Sequence, residues 1–248
     1  MRIFTIADLH LSFGVPSKSM DIFGEAWKGH PKALEEKWDA LIKPDDLVLI
    51  PGDISWAMKI DQAILDFAWV DARPGTKVII RGNHDYWWDS ISKVRKALPK
   101  SLHAIQNDSF ILGDIAIGGA RLWDSSEYSF SSIIDFKENK ASKKIDLSTP
   151  EQNEQLFERE LQRLETSLKA IPQGAKHKIA MTHYPPIGLD LAPSKASQLL
   201  EAYGISLCVF GHLHGIREGT PPLFGEARGV RYVLASCDWL RSTPALIA

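Results

Sequence analysis

The residues able to do chemistry in this chain fall into five short clusters, each at the end of an apolar run. They are Asp8-Leu9-His10, Gly52-Asp53, Gly82-Asn83-His84-Asp85, Thr182-His183 and Gly211-His212-Leu213-His214. An amide, an imidazole and a carboxylate in a row, as in Asn83-His84-Asp85 after Val78-Ile79-Ile80, have no use in packing a core. They can bind a metal ion or move a proton. Together the clusters supply Asp8, Asp53, the Asn83 amide and the imidazoles of His10, His84, His183, His212 and His214, although the whole chain has only eight histidines.

Carboxylate and imidazole donors without thiolate suit Mn, Fe, Zn or Co. One four-coordinate ion would leave several of these groups unused, whereas two ions sharing a bridging carboxylate would use them all. Carboxylates and imidazoles packed this closely must otherwise shift their pKa or stay solvated, and two divalent cations remove that conflict. Gly52, Gly82 and Gly211 let the backbone turn tightly under a ligand.

Each cluster alone has a plainer reading. A lone strand-end aspartate such as Asp53 is ordinarily a turn or cap residue, and Asp-x-His is common; the force lies in all five clusters occurring together. His30, His103 and His177 lie outside the clusters and read as solvated or structural, and Lys143-Lys144 as a solvated face. The tryptophans read mostly as core, with Trp56 and, beside His84, Trp87 and Trp88 as candidate walls of a substrate pocket that the 11–29 loop and the 121–150 stretch also shape.

The elements that must carry these groups follow from periodicity. Strands are expected at Ile3 to Ala7, Leu47 to Ile50, Lys77 to Ile80, Lys178 to Met181 and Leu207 to Phe210, with a last one at Val230 to Ala235. Helices are expected from His30-Pro31 onward (Leu34, Trp38, Leu41 and Ile42 at helical spacing), at Ile60 to Val70 (Ile64, Phe67 and Ala68 on one face) and at Ile91 to Leu98. Strand and helix alternate in this half, which predicts parallel strands with right-handed crossovers. Gly113-Asp114 then joins Ser109–Leu112 to Ile115–Gly118 as a hairpin. Further helices are expected at 151–170, with Leu156, Leu161, Leu164 and Leu168 as its apolar stripe, and at Ser194 to Tyr203. In open α/β sheets ligand sites lie outside the carboxyl ends of the strands, which is where the five clusters fall. The 11–29 loop carries Phe13, Phe23 and Trp27 and reads as packed on the body, while the polar 121–150 stretch reads as an insertion or cap within a single domain spanning 1–248.

Composition sets the outer limits. A hydrophobic content of 44%, a charged content of 24% and a net charge of -2 fit a globular protein and give no reason to expect general nucleic-acid binding. Two cysteines make no disulfide framework, and Cys208 in its apolar strand reads as a buried thiol. The first strand begins at once, without the apolar region and cleavage site of a signal peptide, and no run approaches the roughly 20 apolar residues of a membrane helix. The expectation is a soluble cytoplasmic protein with no membrane contact.

In these motifs the chain resembles the calcineurin-like metallophosphoesterase superfamily, whose pattern is Asp-x-His, Gly-Asp, Gly-Asn-His-Asp/Glu, a lone His and Gly-His-x-His. The resemblance implies an α/β fold, a four-layer α-β-β-α sandwich of two mixed sheets flanked by helices. It implies two divalent ions, Mn first with Fe, Zn, Co or Ni as alternatives, roughly 3.5–4 Å apart. One would be held by Asp8, His10, Asp53 and His214, the other by Asp53, Asn83, His183 and His212, with Asp53 bridging. His84 would be the general acid and Asp85 its orienting partner. The implied reaction is hydrolysis of a phosphomonoester or phosphodiester by in-line attack of a metal-bridging hydroxide. The substrate would be a small phosphate ester; the aromatics near the site are as compatible with a nucleotide base as with plain packing, and Arg81 and Arg121 are candidates for binding phosphate. Two other readings remain open: a non-catalytic metal-binding scaffold or interaction protein on the same fold, which loss of a histidine ligand or of the acid would favour, and a dinuclear hydrolase of a non-phosphate bond. The metal, the substrate and the oligomeric state are not legible.

Overall fold

A computed structural model describes residues 1–135, 149–221 and 223–248. Two mixed sheets lie face to face. The first is built from β1 (Ile3–Thr5), β2 (Leu47–Ile50), β3 (Thr76–Ile79), β4 (Leu102–Ala104) and β11 (Ala245–Leu246), in the order β11-β1-β2-β3-β4. Strands β1 to β4 pair in parallel through three successive pairings, and β11 runs antiparallel to β1. The second contains β5 (Ser109–Leu112), β6 (Ile115–Ala120), β7 (His177–Thr182), β8 (Leu207–Phe210), β9 (Glu226–Ala227) and β10 (Val230–Leu234), in the order β5-β6-β7-β8-β10-β9. The expected hairpin is the β5–β6 pair, and β6, β7, β8 and β10 run parallel.

Parallel strands buried on both faces must be apolar at every position, which is why β2 and β8 read as unbroken apolar runs. Alternation then sends neighbouring residues to different layers. Leu47, Leu49 and Val78 meet Ile117, Ile179, Met181 and Val209 between the sheets. Val48, Ile50 and Ile79 turn outward onto α1 (His30–Leu41), α2 (Ile60–Asp71) and α3 (Ile91–Ala97), through Leu34, Trp38, Phe67, Val70 and Val94. Ala180, Cys208 and Phe210 turn to the opposite side, against Leu164 and Leu168 of α4 (Pro150–Lys169) and Ala196 and Leu200 of α5 (Lys195–Ala202). The result is the four-layer α-β-β-α sandwich that the resemblance implied.

Two helices differ from their sequence reading. The inward face of α2 is Ala63, Asp66, Phe67 and Val70, while Ile64 stands 49% exposed and Ala68 faces out as well. The cause is polar: the buried Asp66 accepts the Phe13 amide at 2.8 Å and the Ser55 hydroxyl, so the helix turns its carboxylate inward to anchor the 11–29 loop. On α4, Leu164 and Leu168 are buried as expected, but Leu156 and Leu161 are only half-buried and Phe157, Glu160 and Ser167 complete the inner face. Its Ser167 hydroxyl accepts the Gly119 amide at 2.7 Å, holding the helix against β6. A Thr149–Gln152 capping box starts α4.

The strands β4, β9 and β11 have no counterpart in the periodicity because two or three residues carry no repeat. The 11–29 loop is ordered by three short 3-10 turns and packs through Met20 and Trp27, leaving Phe13 and Phe23 exposed. From the polar stretch, Tyr128 donates its hydroxyl to the Pro185 carbonyl at 2.7 Å and Trp123 stacks near Tyr184. Residues 136–148, including Phe136 and Lys143-Lys144, lie outside the described residues. Among the described residues no helix is long and apolar enough to cross a membrane.

Candidate metal centre

The five clusters meet at one rim, where the carboxyl ends of β1, β2 and β3 from one sheet face those of β7 and β8 from the other. Beyond β1 the chain keeps pairing with β2: the Asp8 amide donates to the Gly52 carbonyl and the His10 amide to the Asp53 carbonyl, both at 3.0 Å. The Asp8 carboxylate accepts the His212 amide at 3.1 Å, so it ties the two sheets together. Asp8, His10, Asp53 and His212 all have left-handed backbone, with φ of 58°, 44°, 53° and 71°. Each such residue costs on the order of 1–3 kcal/mol and persists only where its surroundings fix it. Two glycines are needed for close approach. A Cβ on Gly82 would lie 2.0 Å from Asp53 Oδ1, and one on Gly211 would lie 2.4 Å from Asp8 Oδ2.

Asp85 departs from its expected role. In place of a bond to the His84 ring, its fully buried carboxylate accepts five donors: the amides of Asp53 (2.9 Å), Ile54 (2.9 Å), Ser55 (3.2 Å) and Gly82 (2.8 Å), and the Trp87 indole (2.9 Å). Five donors saturate the carboxylate's lone pairs, so nothing is left to orient His84, whose Nδ1 has no hydrogen-bond partner among the described residues. Asp85 instead clamps the turn after β2 to the turn after β3.

The donors aimed into the centre form two groups, Asp8 with His10 and His214, and Asp8 with Asp53 and His183, and within each group the donor atoms lie within 4.8 Å of one another. Asp53 Oδ2 stands between them, 3.8 Å from His10 Nε2 and 3.5 Å from His183 Nε2. Asn83 Oδ1 joins at 2.5 Å from His183 Nε2 and 3.1 Å from His212 Nδ1. The proton positions follow from the outer partners. His183 Nδ1 lies 3.0 Å from the Pro51 carbonyl, which can only accept, so that nitrogen carries the proton and Nε2 turns a lone pair inward. His214 Nδ1 likewise donates to Asp238 Oδ1 at 2.8 Å and leaves Nε2 facing Asp8 Oδ1 at 3.5 Å. Carboxylate oxygens, the Asn83 amide oxygen and imidazole nitrogens thus converge on one space, a donor set that fits a cation.

Electrostatics point the same way. Burial lowers the pKa of His183 to about 4 and holds His10 and His212 well below the ordinary histidine value, with neighbouring imidazoles adding to the effect for His10 and His212. Burial, then Asp85 and Asp8, push Asp53 well above the usual carboxylate range. Burial alone would lower His214 too, but Asp238 and Asp8 outweigh it and raise it. A divalent ion removes the repulsion among the carboxylates.

His84 stands beside these groups, outside both of them. Its ring packs 4.5 Å from Trp56, which also stacks on His10 at 4.9 Å, while Trp27 lies edge-on to His10 and His214. Burial and the nearby histidines lower His84 to about 4. The walls of the site are therefore Trp27 and Trp56. Trp87 is buried in the core with its indole on Asp85, and Trp88 is buried with its indole donating to Gln106 at 2.7 Å. Of the histidines read as solvated or structural, His30 is structural: it is buried, with one ring nitrogen 2.8 Å from the Leu9 carbonyl and the other 3.1 Å from the Trp27 carbonyl. Asp238 was not singled out by sequence reasoning; it follows the last clear strand, as the other clusters do, but as a lone aspartate among Cys237 and Trp239 it carries no pattern.

A sequence model of the family described as calcineurin-like phosphoesterase matches residues 1–215. Among curated proteins, the chain is 43% identical over 56 residues to the Gene 66 protein of Mycobacterium phage L5, covering 23% of this chain and 27% of that protein. It is 36% identical over 87 residues to the Gene 66 protein of Mycobacterium phage D29, covering 34% of this chain and 40% of that one. The chain thus spans well under half the length of either relative. Among solved structures, it is similar to the phosphopantetheinyl hydrolase PptH of Mycobacterium tuberculosis, with a TM-score of 0.58 and 14% identity over 99% of this chain and 95% of that one, a likeness of fold.

Two substitutions test the outer partners. Asp85→Asn turns an amide against donors and should destabilise the fold by about 2–4 kcal/mol in chemical denaturation; a change under about 0.5 kcal/mol would exclude the clamp. Asp238→Ala frees the His214 ring and should weaken metal binding about 10–100-fold in calorimetric titration, with the fold retained. Unchanged affinity would show that Asp238 does not position His214.

Proposed function

The chain belongs to the calcineurin-like phosphoesterase family, and on that premise we propose that it is a dinuclear metal-dependent hydrolase of a small phosphate ester. One observation carries the reading: a single carboxylate oxygen, Asp53 Oδ2, lies within 4 Å of an imidazole nitrogen from each donor group. In this reading Asp8, His10, Asp53 and His214 hold one ion, and Asp53, Asn83, His183 and His212 hold the other, with manganese as the first choice of metal. When bound, the two ions acidify water to supply the nucleophile and neutralise charge on the phosphoryl oxygens.

The chain's own groups do the rest. Asp53 keeps the two donor groups in register and is itself held by the Asp85 clamp on its amide and by the His84 amide on its Oδ1 at 2.8 Å. Trp27 and Trp56 shield the histidines from water. His84 gives its proton to the departing oxygen as the P–O bond breaks. Burial disfavours the protonated ring in the free protein, and the negative charge of an arriving ester reverses that bias. Proton donation of this kind contributes about 10²–10⁴-fold to rate.

The first test is hydrolysis of p-nitrophenyl phosphate beside bis-p-nitrophenyl phosphate, with manganese added back after chelation. Metal-dependent turnover is expected, and the preferred ester separates phosphatase from phosphodiesterase. Protein that neither turns over nor binds metal would bring the scaffold reading forward. Asp53→Asn should lose both ions together in metal analysis, so full occupancy by two ions would remove it as the bridge. His84→Ala should keep its metal and lose about 10²–10⁴-fold on alkyl phosphate esters, but less on aryl esters whose leaving groups need no proton. An alkyl ester hydrolysed at the unsubstituted rate would take His84 out of the mechanism.

A further inference from the structure

A cavity of about 340 Å³ opens beside the centre, lined by the ends of β3, β4 and β6 and by α4. Arg81, Arg121 and Arg163 face it, together with Trp88, Gln106 and Glu160. It adjoins the His183 side of the centre. Arg81 lies two residues before Asn83, and the Arg121 carbonyl accepts the amides of His183 and Tyr184 at 3.1 and 2.9 Å.

Positive charge at this cavity exceeds what the protein supplies to meet it. The buried Glu160 offers one oxygen, Oε1, to three guanidinium groups: Arg163 at 2.7 Å, Arg121 at 3.1 Å and Arg159 at 3.8 Å. The other acid in the lining, Asp89, is taken by Lys93 at 2.7 Å. Arg81 has no carboxylate within ion-pair distance among the described residues. Its Nε and that of Arg121 are shielded from water, again without a partner among those residues. Donors left unmatched in this way cost free energy until an acceptor arrives. Arg121 is already held in place, its guanidinium 4.6 Å over the Trp123 ring and bonded to Glu160. The planar guanidinium fork matches phosphate and carboxylate oxygens.

We propose that this cavity is an anion subsite of the same active centre, so that the substrate carries two anionic groups: the ester phosphate taken by the carboxylate–imidazole cluster, and a second phosphate or carboxylate taken by Arg81, Arg121 and Arg163. This rests on the phosphoesterase reading, and its test separates the two.

In the first arm, inorganic phosphate is titrated calorimetrically into metal-free protein, which has no cations at the carboxylate–imidazole cluster to bind it. One site is expected, weakened at least tenfold by Arg81→Gln and by Arg163→Gln. Arg163 is 41% exposed, so its substitution leaves the fold intact. In the second arm, fructose 1,6-bisphosphate and fructose 6-phosphate compete against p-nitrophenyl phosphate on the manganese-loaded enzyme. The bisphosphate should inhibit at least tenfold more strongly, and Arg163→Gln should erase the difference. Absence of phosphate binding, or binding that neither substitution weakens, overturns the subsite. Binding without preference for the bisphosphate overturns its part in substrate choice. Wild-type protein that binds phosphate in the first arm but turns over neither p-nitrophenyl phosphate nor bis-p-nitrophenyl phosphate with manganese sinks the phosphoesterase reading while the anion site stands.

Discussion

The geometry of the centre depends on one buried carboxylate that faces away from it. Asp85 accepts amide protons from three successive residues after β2 and from Gly82 after β3. With the His10 amide on the Asp53 carbonyl and the His84 amide on its Oδ1, that anchor holds Asp53 at its left-handed φ with its side chain against Gly82. A charged acceptor bonding this many donors is among the stronger polar devices available to a protein, and burial strengthens it. Burial also raises the Asp85 carboxyl, and the bonds from Gly82, Ser55, Ile54 and Trp87 work against that rise. The donors that would touch a metal are thus positioned by a residue that touches none.

The same logic runs outward through the histidines. A ring turns its lone pair inward only because its other nitrogen has a fixed acceptor. Pro51 provides one for His183 and Asp238 one for His214. Both acceptors belong to turns beyond strand ends, Pro51 after β2 and Asp238 after β10. The two sheets therefore contribute to each other's ligands: Pro51 of the first orients a histidine of the second, and Asp8 of the first holds the His212 amide of the second. Sheet-on-sheet packing through Leu49, Val78, Met181 and Val209 fixes the distances across this rim.

This explains what the sequence disclosed and what it withheld. The five clusters were legible because each follows an apolar run whose end is marked by a residue type the core would not accept. The four layers were legible through the resemblance, and the parallel half through the alternation of strand and helix. The face of α2 was misread because Asp66, polar and buried, sits where a purely apolar count finds nothing, while Ile64 and Leu65 are exposed. The resemblance pairs Asp85 with His84, its neighbour in the chain, yet hydrogen bonds follow direction, and its carboxylate turns toward amides about thirty residues earlier. Asp238 was missed for the complementary reason: its partner is 24 residues away and no local pattern announces it.

Charge links the centre to the cavity beside it. Four carboxylates, those of Asp8, Asp53, Asp85 and Asp238, gather around the donors. Burial keeps His10, His183 and His212 neutral near pH 7, and His214, raised in the free protein by Asp238 and Asp8, would give up its Nε2 proton to a bound cation. Two divalent cations would supply four positive charges against those four negative ones, which leaves a centre close to neutral. Such a centre can hold and activate one phosphoryl group through direct coordination, but it has no surplus field with which to attract a second anionic group. A surplus does exist next door, where three guanidinium groups share one Glu160 oxygen and Arg81 stands unpaired among the described residues. Reaction chemistry and recognition are then divided between neighbouring sites, and the arginines would choose the substrate that the metal centre cleaves.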